Sequence, residues 1–214
     1  PREGAPHAAV RTRRLPRLET IERPAALSHM AHFIEATSHD LSLLNEKLQY
    51  QASRDSLTGL RNRGETERLL LACLNETRAI HQPLTVLLLA LADFKHINDC
   101  YGHATGDIAL RTIANILRRL LRATDIIGRW GGDEFLIVLP NTTAPIASSI
   151  GKRIEAEVKQ PHDIGGKEIT LSLSIGITSA RETDSTETIF QRADRALYLA
   201  KAIPGKGNLF QMEE

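Results

Sequence analysis

The stretch from Leu84 to Ala92, LTVLLLALA, is apolar at every position except Thr85 and is bounded by Pro83 and Asp93. It falls far short of the roughly twenty apolar residues that a membrane-spanning helix needs. Its length and flanking residues fit a buried strand instead. Such a strand obliges the rest of the chain to supply further strands beside it and helices over it. Helices are expected near residues 63–81, from about Asp107 to Ala123, around 143–160 and around 186–202. Leu110, Ile113, Ala114, Leu117 and Leu121 make the apolar stripe of the second. Paired strands are expected at DIIGRW and EFLIVLP, joined through Gly131 and Gly132, where glycine supplies the positive φ of a tight hairpin. A strand at ITLSLSIGIT and a short one at GNLF complete one sheet backed by helices, an α/β (α+β) architecture.

The pattern differs in front of this domain, which is expected to occupy residues 54–214. Residues 1–24 carry Arg2, Arg11, Arg13, Arg14, Arg17 and Arg23 with four prolines and little apolar content, the composition of a flexible basic leader. Over residues 25–53, Leu27, Met30, Ile34, Thr37, Leu41, Leu44, Leu48 and Gln51 alternate steps of three and four. That is a heptad seam with polar interruptions at Thr37 and Gln51. It predicts an amphipathic helix, pairing as a coiled-coil homodimer or packing on its own domain.

The formal charge of +1 over 214 residues gives no molecule-wide field to attract nucleic acid or a membrane. Cys73 and Cys100 lack metal-ligand spacing and are too few for a disulfide framework, which fits the reducing cytoplasm. No apolar run in the chain is long enough for a membrane segment. The chain opens on Pro1 and reads as a piece of a longer one, such as the cytoplasmic part of a sensor.

Three segments carry candidate chemistry. RWGGDEF, from Arg129 to Phe135, places two glycines before two carboxylates. Alone, such a segment is most often only a turn. Its functional alternative is that Gly131 and Gly132 let a phosphate approach the backbone while Asp133 and Glu134 face a divalent metal. DFKHINDCYGHATGD follows the buried strand and supplies Lys95, Asn98, His103 and Asp107 in a polar connection leading into a helix. An amide and a carboxylate there suit guanine's N1 and N2 donors, because ionised Asp only accepts hydrogen bonds and Asn does both. Taken singly, Asp107 is as well explained as a helix cap and Lys95 as a solvated cation. RATD, from Arg122 to Asp125, is on its own an ordinary surface ion pair.

RDSLTGLRNR (54–63), FKHINDCYGHATGD (94–107), RWGGDEF (129–135), SIGIT (174–178) and ADRALYLAK (193–201) stand in the order and approximate spacing of the GGDEF diguanylate cyclases, which this chain resembles over about residues 54–211. The resemblance implies a nucleotidyl-cyclase fold related to polymerase palms, with a mostly antiparallel central sheet flanked by helices. It implies condensation of two GTP into cyclic di-GMP with release of two pyrophosphates, one GTP in each of two facing domains. By position, Asn98 and Asp107 would hold guanine with His103 nearby, and the acid at Asp107 implies GTP as substrate. Gly131 and Gly132 would receive phosphates, with Lys95 and Lys201 as their cations. Asp133 would be metal ligand and base for the 3′-hydroxyl, with Glu134 and the backbone carbonyl of Leu91 completing what is left of a Mg2+ (or Mn2+) site. The resemblance also makes RATD a product-binding motif, in which Arg122 and Asp125 take cyclic di-GMP with Arg153 as a second arginine.

One segment departs from the family. Where its members typically carry Asp-x-Asp on the strand before FKHIND, this chain has Ala90-Leu91-Ala92. Side chains alternate along a strand, so Asp93 is expected to face away from residues 90 and 92. Severely impaired turnover is the expectation. The paired alanines, with the neighbouring motifs intact, fit a deliberate removal of a metal site; the alternative is a natural drift toward a catalytically inactive cyclic di-GMP receptor. Near the end, AKAIPGKGN carries an extra residue relative to the family's usual pattern, which leaves the role of Lys206 open.

Overall fold

The computed structural model describes residues 23–205 and 208–212. Residues 1–22 of the leader expected over residues 1–24, the side chain of Leu27, and Lys206 lie outside the described residues, and Arg23 and Pro24 belong to the first helix rather than to a leader. The chain divides into two units, one ending at Gln49 and the other starting at Tyr50. The heptad pattern does form a helix, α1 (Arg23–Ala52), most of which belongs to the first unit. Met30, Ile34, Leu41, Leu44 and Leu48 are exposed along it, and the Thr37 hydroxyl turns back to donate to the Phe33 carbonyl. Among the described residues no helix is long and apolar enough to cross a membrane.

The second unit is built on the predicted strand. β1 (Leu84–Leu91) is buried at every position, as an unbroken apolar run requires. It pairs antiparallel with β3 (Glu134–Pro140) on one side and with β6 (Leu173–Ser179) on the other. β2 (Ile126–Gly131) extends the sheet beyond β3, and β7 (Leu209–Gln211) adds to β6 in parallel, giving the order β2-β3-β1-β6-β7. β4 (Pro161–Asp163) and β5 (Glu168–Thr170) form a separate hairpin.

Alternation along β1 splits the core into two layers. Leu87, Leu89 and Leu91 pack with Leu110, Ile113 and Leu117 of α4 (His103–Leu120) and with Ile154 of α5 (Ala144–Val158). Val86, Leu88 and Ala90 face Leu70 and Leu74 of α2 (Arg63–Ile80) and Ile189, Ala193 and Leu197 of α6 (Thr186–Ala202). Caps set the limits of these last two helices. The Asn62 side chain accepts from the Glu65 amide at the start of α2, and Ser185 with Thr188 forms a reciprocal capping box at the start of α6. Close seating of α6 depends on Gly176, where a Cβ would fall 2.2 Å from the Leu197 nitrogen.

The structure departs from expectation in three places. The polar connection after β1 is itself a helix, α3 (Phe94–Tyr101), and Gly102 at φ 85° turns the chain directly into α4. Helix α4 therefore begins at His103 rather than Asp107, and Asp107 is not a cap. It also stops at Leu120 instead of running to Ala123, because residues 122–125 close a turn of their own. ITLSLSIGIT is two strands, parted where Ser172 leaves β5 to accept from the Ala92 amide at 2.8 Å.

Candidate active site

The GG turn joins β2 to β3 at one end of the sheet. Gly132 has φ 51°, and a bulge between Arg129 and Gly131 shifts the register so that Gly131 pairs with Glu134. Nothing lies within 4 Å of where a Cβ would sit on either glycine. The turn is thus open to a ligand on its outer face. Its inner side is held by Arg129, whose Nε and Nη2 donate to the Gly132 carbonyl at 3.0 and 2.7 Å. The same guanidinium reaches Asp55 at 3.2 Å, and Asp55 also accepts from the Thr58 amide at 2.8 Å and its hydroxyl at 2.6 Å. Asp55 and Arg129 lie in quoted motifs, but nothing in their spacing announced this contact.

Ala90 pairs with Glu134 on β3 and with Ser174 on β6, and it is 1% exposed. Burial pushes the Glu134 carboxyl above its usual range; nearby Lys201 and Arg63 pull against that, while Asp133 and Asp194 reinforce it. β1 ends at Leu91, whose amide donates to the Asp133 carbonyl at 3.2 Å. Ala92 and Asp93 form the turn into α3, and Asp93 adopts φ 55°. This corrects the strand-alternation argument: Asp93 lies past the end of the strand, where alternation no longer applies, and it is among the residues that line the same cavity as Asp133.

That cavity has a volume of about 410 Å³ and is lined by Lys95, Lys201, Asp133, Asp93 and Ser174 among others. Lys95 from the first turn of α3 and Lys201 from the last turn of α6 therefore meet Asp133 at one site, although the sequence separates them widely. A resident divalent ion does not fit this donor set. Among the described residues no three carboxylate, imidazole or thiol groups come together as a metal site, and the two positions that would add carboxylates carry methyl groups.

Asn98, on α3, has a buried Oδ1 with no hydrogen-bond partner, which is costly unless something supplies a donor. It lies against Gly106 of α4, where a Cβ would stand 2.0 Å from that oxygen. Asp107, the next residue, is half-buried, and His103 is exposed at the start of the same helix. The α3–α4 corner thus holds a buried, unsatisfied amide oxygen against Gly106, one residue before Asp107 in α4.

The Arg122–Asp125 segment lies at the other end of β2, roughly 20 Å along the strand. It is a closed turn: the Asp125 amide donates to the Arg122 carbonyl at 3.1 Å, and the Arg122 amide donates to Asp125 Oδ2 at 2.8 Å. Asp125 is buried, whereas the Arg122 side chain is exposed. Arg153, on α5, donates through Nη2 to the Leu120 carbonyl at 2.7 Å, which brings it beside this turn.

Residues 52–206 match the family described as "Diguanylate cyclase, GGDEF domain". Diguanylate cyclase DgcM of Escherichia coli K12 is 36% identical over 166 residues, covering 76% of this chain and 40% of that protein. Cyclic di-GMP phosphodiesterase PdeR of the same organism is 36% identical over 157 residues, covering 73% of this chain and 23% of that protein. The chain therefore spans less than half the length of either relative. The GGDEF domain of DgcB from Caulobacter crescentus, solved in complex with c-di-GMP, superposes with a TM-score of 0.71 at 26% identity, covering 76% of this chain and 94% of that one.

Proposed function

The chain belongs to the diguanylate cyclase family of GGDEF domains, and we propose that its second unit holds one GTP for condensation with a second across a homodimer, a reaction that this chain performs poorly. Guanine binds at Asn98 and Asp107 with His103 alongside, and the triphosphate lies over Gly131 and Gly132 toward Lys95 and Lys201. In the complete reaction, each 3′-oxygen attacks the α-phosphorus of the facing GTP. Its proton passes to Asp133, the α–β bridging bond breaks, and pyrophosphate leaves. Positioning and cationic offset of the phosphate charge carry most of such a step. The family's Mg2+ (or Mn2+) would offset charge on the phosphate oxygens; of its ligands this chain keeps only Asp133, Glu134 and the Leu91 carbonyl, a set that does not suit a resident ion.

The single observation behind impaired turnover is Ala90, a methyl group, standing opposite Glu134, in a chain whose described residues hold no cluster of three metal-ligating side chains. The test is cyclic di-GMP production from GTP with magnesium, beside an Ala90→Asp, Ala92→Asp variant. The chain itself should be slower by at least about 100-fold. Turnover at the restored variant's rate would refute the proposal, and equal use of ATP in competition would refute the guanine assignment.

A second reading, a catalytically inactive receptor for cyclic di-GMP, is favoured by the closed Arg122–Asp125 turn, whose geometry owes nothing to the cavity. Arg122 offers its planar fork to a phosphate or guanine edge, with Arg153 beside it. Under this reading the restored aspartates leave the protein inert, and binding persists. In either case, residues 25–53 act as a cytoplasmic dimeric stalk for residues 54–214, raising the effective concentration of the facing domains.

A further inference from the structure

The alanines at positions 90 and 92 also change the charge of the cavity. As it stands, two ammonium groups, Lys95 and Lys201, face two carboxylates, Asp93 and Asp133. Ser174, the cross-strand partner of Ala90, is part of the lining, as is Ala92. With Glu134 opposite position 90, aspartates at both positions would set five carboxylates (Asp93, Asp133, Glu134 and the two new ones) against the two lysines, and a polyphosphate would then need a cation between them. With methyl groups there, two of those five negative charges are absent while both lysines stay. Arg63 adds a third positive charge from the start of α2, close enough to act on Glu134 and stacked over Trp130 at 4.8 Å. The open outer face of Gly131 and Gly132 leaves room for the anion itself.

We infer that this chain binds the triphosphate of GTP without a divalent cation, Lys95 and Lys201 standing in for the metal. The inference rests on the reading of the cavity as the GTP site. It turns a lost metal site into a magnesium-independent nucleotide sensor, in which occupancy follows GTP alone.

Calorimetric titration of the full chain with GTP, once in excess EDTA and once in magnesium, tests it. The two dissociation constants should agree within about threefold, whereas Lys201→Ala should weaken binding in EDTA by about tenfold or more. Lys201 is exposed, so that variant is expected to fold. In the Ala90→Asp, Ala92→Asp variant, EDTA should weaken binding by about tenfold or more, and magnesium should restore it. Tight binding in magnesium that disappears in EDTA for the unaltered chain overturns the inference and leaves the GTP site standing. Failure to bind GTP in both buffers overturns the site assignment itself, and the inference with it.

Discussion

Ala90 and Glu134 face each other across the β1–β3 ladder, and the methyl group of one lies beside a carboxyl that burial already disfavours as an anion. Putting Asp at position 90 sets two like charges directly opposite in a site that is 1% exposed. Without metal this should cost about 3 kcal/mol or more of folding stability. Urea denaturation of Ala90→Asp in EDTA and in magnesium measures it. The loss should be large in EDTA and smaller in magnesium; a variant as stable in EDTA as its parent would mean that the carboxylate escapes the site.

Asp55 gives a pH signature. Burial raises its pKa, but the two Thr58 donors and then Arg129 outweigh that, so the net shift is below the ordinary value of 3.8. A carboxyl depressed in the folded state contributes stability above its unfolded pKa and loses it as pH falls through the folded value. Asp55→Asn keeps an acceptor for Thr58 and removes the charge that faces Arg129. It should cost about 1 kcal/mol near neutral pH, shrinking toward zero as pH falls below about 4. Parallel denaturant curves across that range check it, and a pH-independent difference would assign the cost to packing.

The sheet and its helices were largely legible because they follow from patterns with a physical period: the unbroken run of β1, the stripe of α4, the glycines of the hairpin. What escaped was set by contacts between distant segments. Helix α3 is eight residues long, too short for a period to stand out, and it packs against α4. The split between β5 and β6 depends on one bond from Ala92 to Ser172. Alternation says nothing of Asp93, because β1 ends at Leu91 and Asp93 already turns at φ 55° into α3. At the site, residue types were readable, but the joining of Lys95, Lys201 and Asp133 around one cavity was visible only as a resemblance.

Gly106→Ala separates guanine recognition from stability. A Cβ there would meet Asn98 Oδ1 at 2.0 Å and Phe94 at 3.1 Å. Alanine also gains about 1 kcal/mol of helix propensity over glycine, and the Asn98 side chain can rotate away. Those effects nearly offset, so the melting temperature should barely change. The displaced amide can no longer meet guanine, however, and GTP affinity should fall by about tenfold. Unchanged affinity would remove Asn98 from the guanine site.

Arg122 and Asp125 should separate in the opposite manner. The Asp125 carboxylate is buried and accepts the Arg122 amide, so Asp125→Ala removes an acceptor that the turn needs and should cost about 1–2 kcal/mol. The Arg122 side chain is exposed, so Arg122→Ala should leave stability within about 0.5 kcal/mol of the parent. Cyclic di-GMP binding, measured by calorimetry, should nonetheless fall by at least about tenfold in Arg122→Ala, because a planar charged donor is lost. Asp125→Asn supplies the decisive comparison. It keeps an acceptor for the Arg122 amide but loses the charge that, under the proposed receptor reading, accepts hydrogen bonds from guanine's N1–H and N2–H. A fold-stable Asp125→Asn that no longer binds shows that the carboxylate contacts the ligand directly. Full binding by the same variant would confine Asp125 to holding the turn closed.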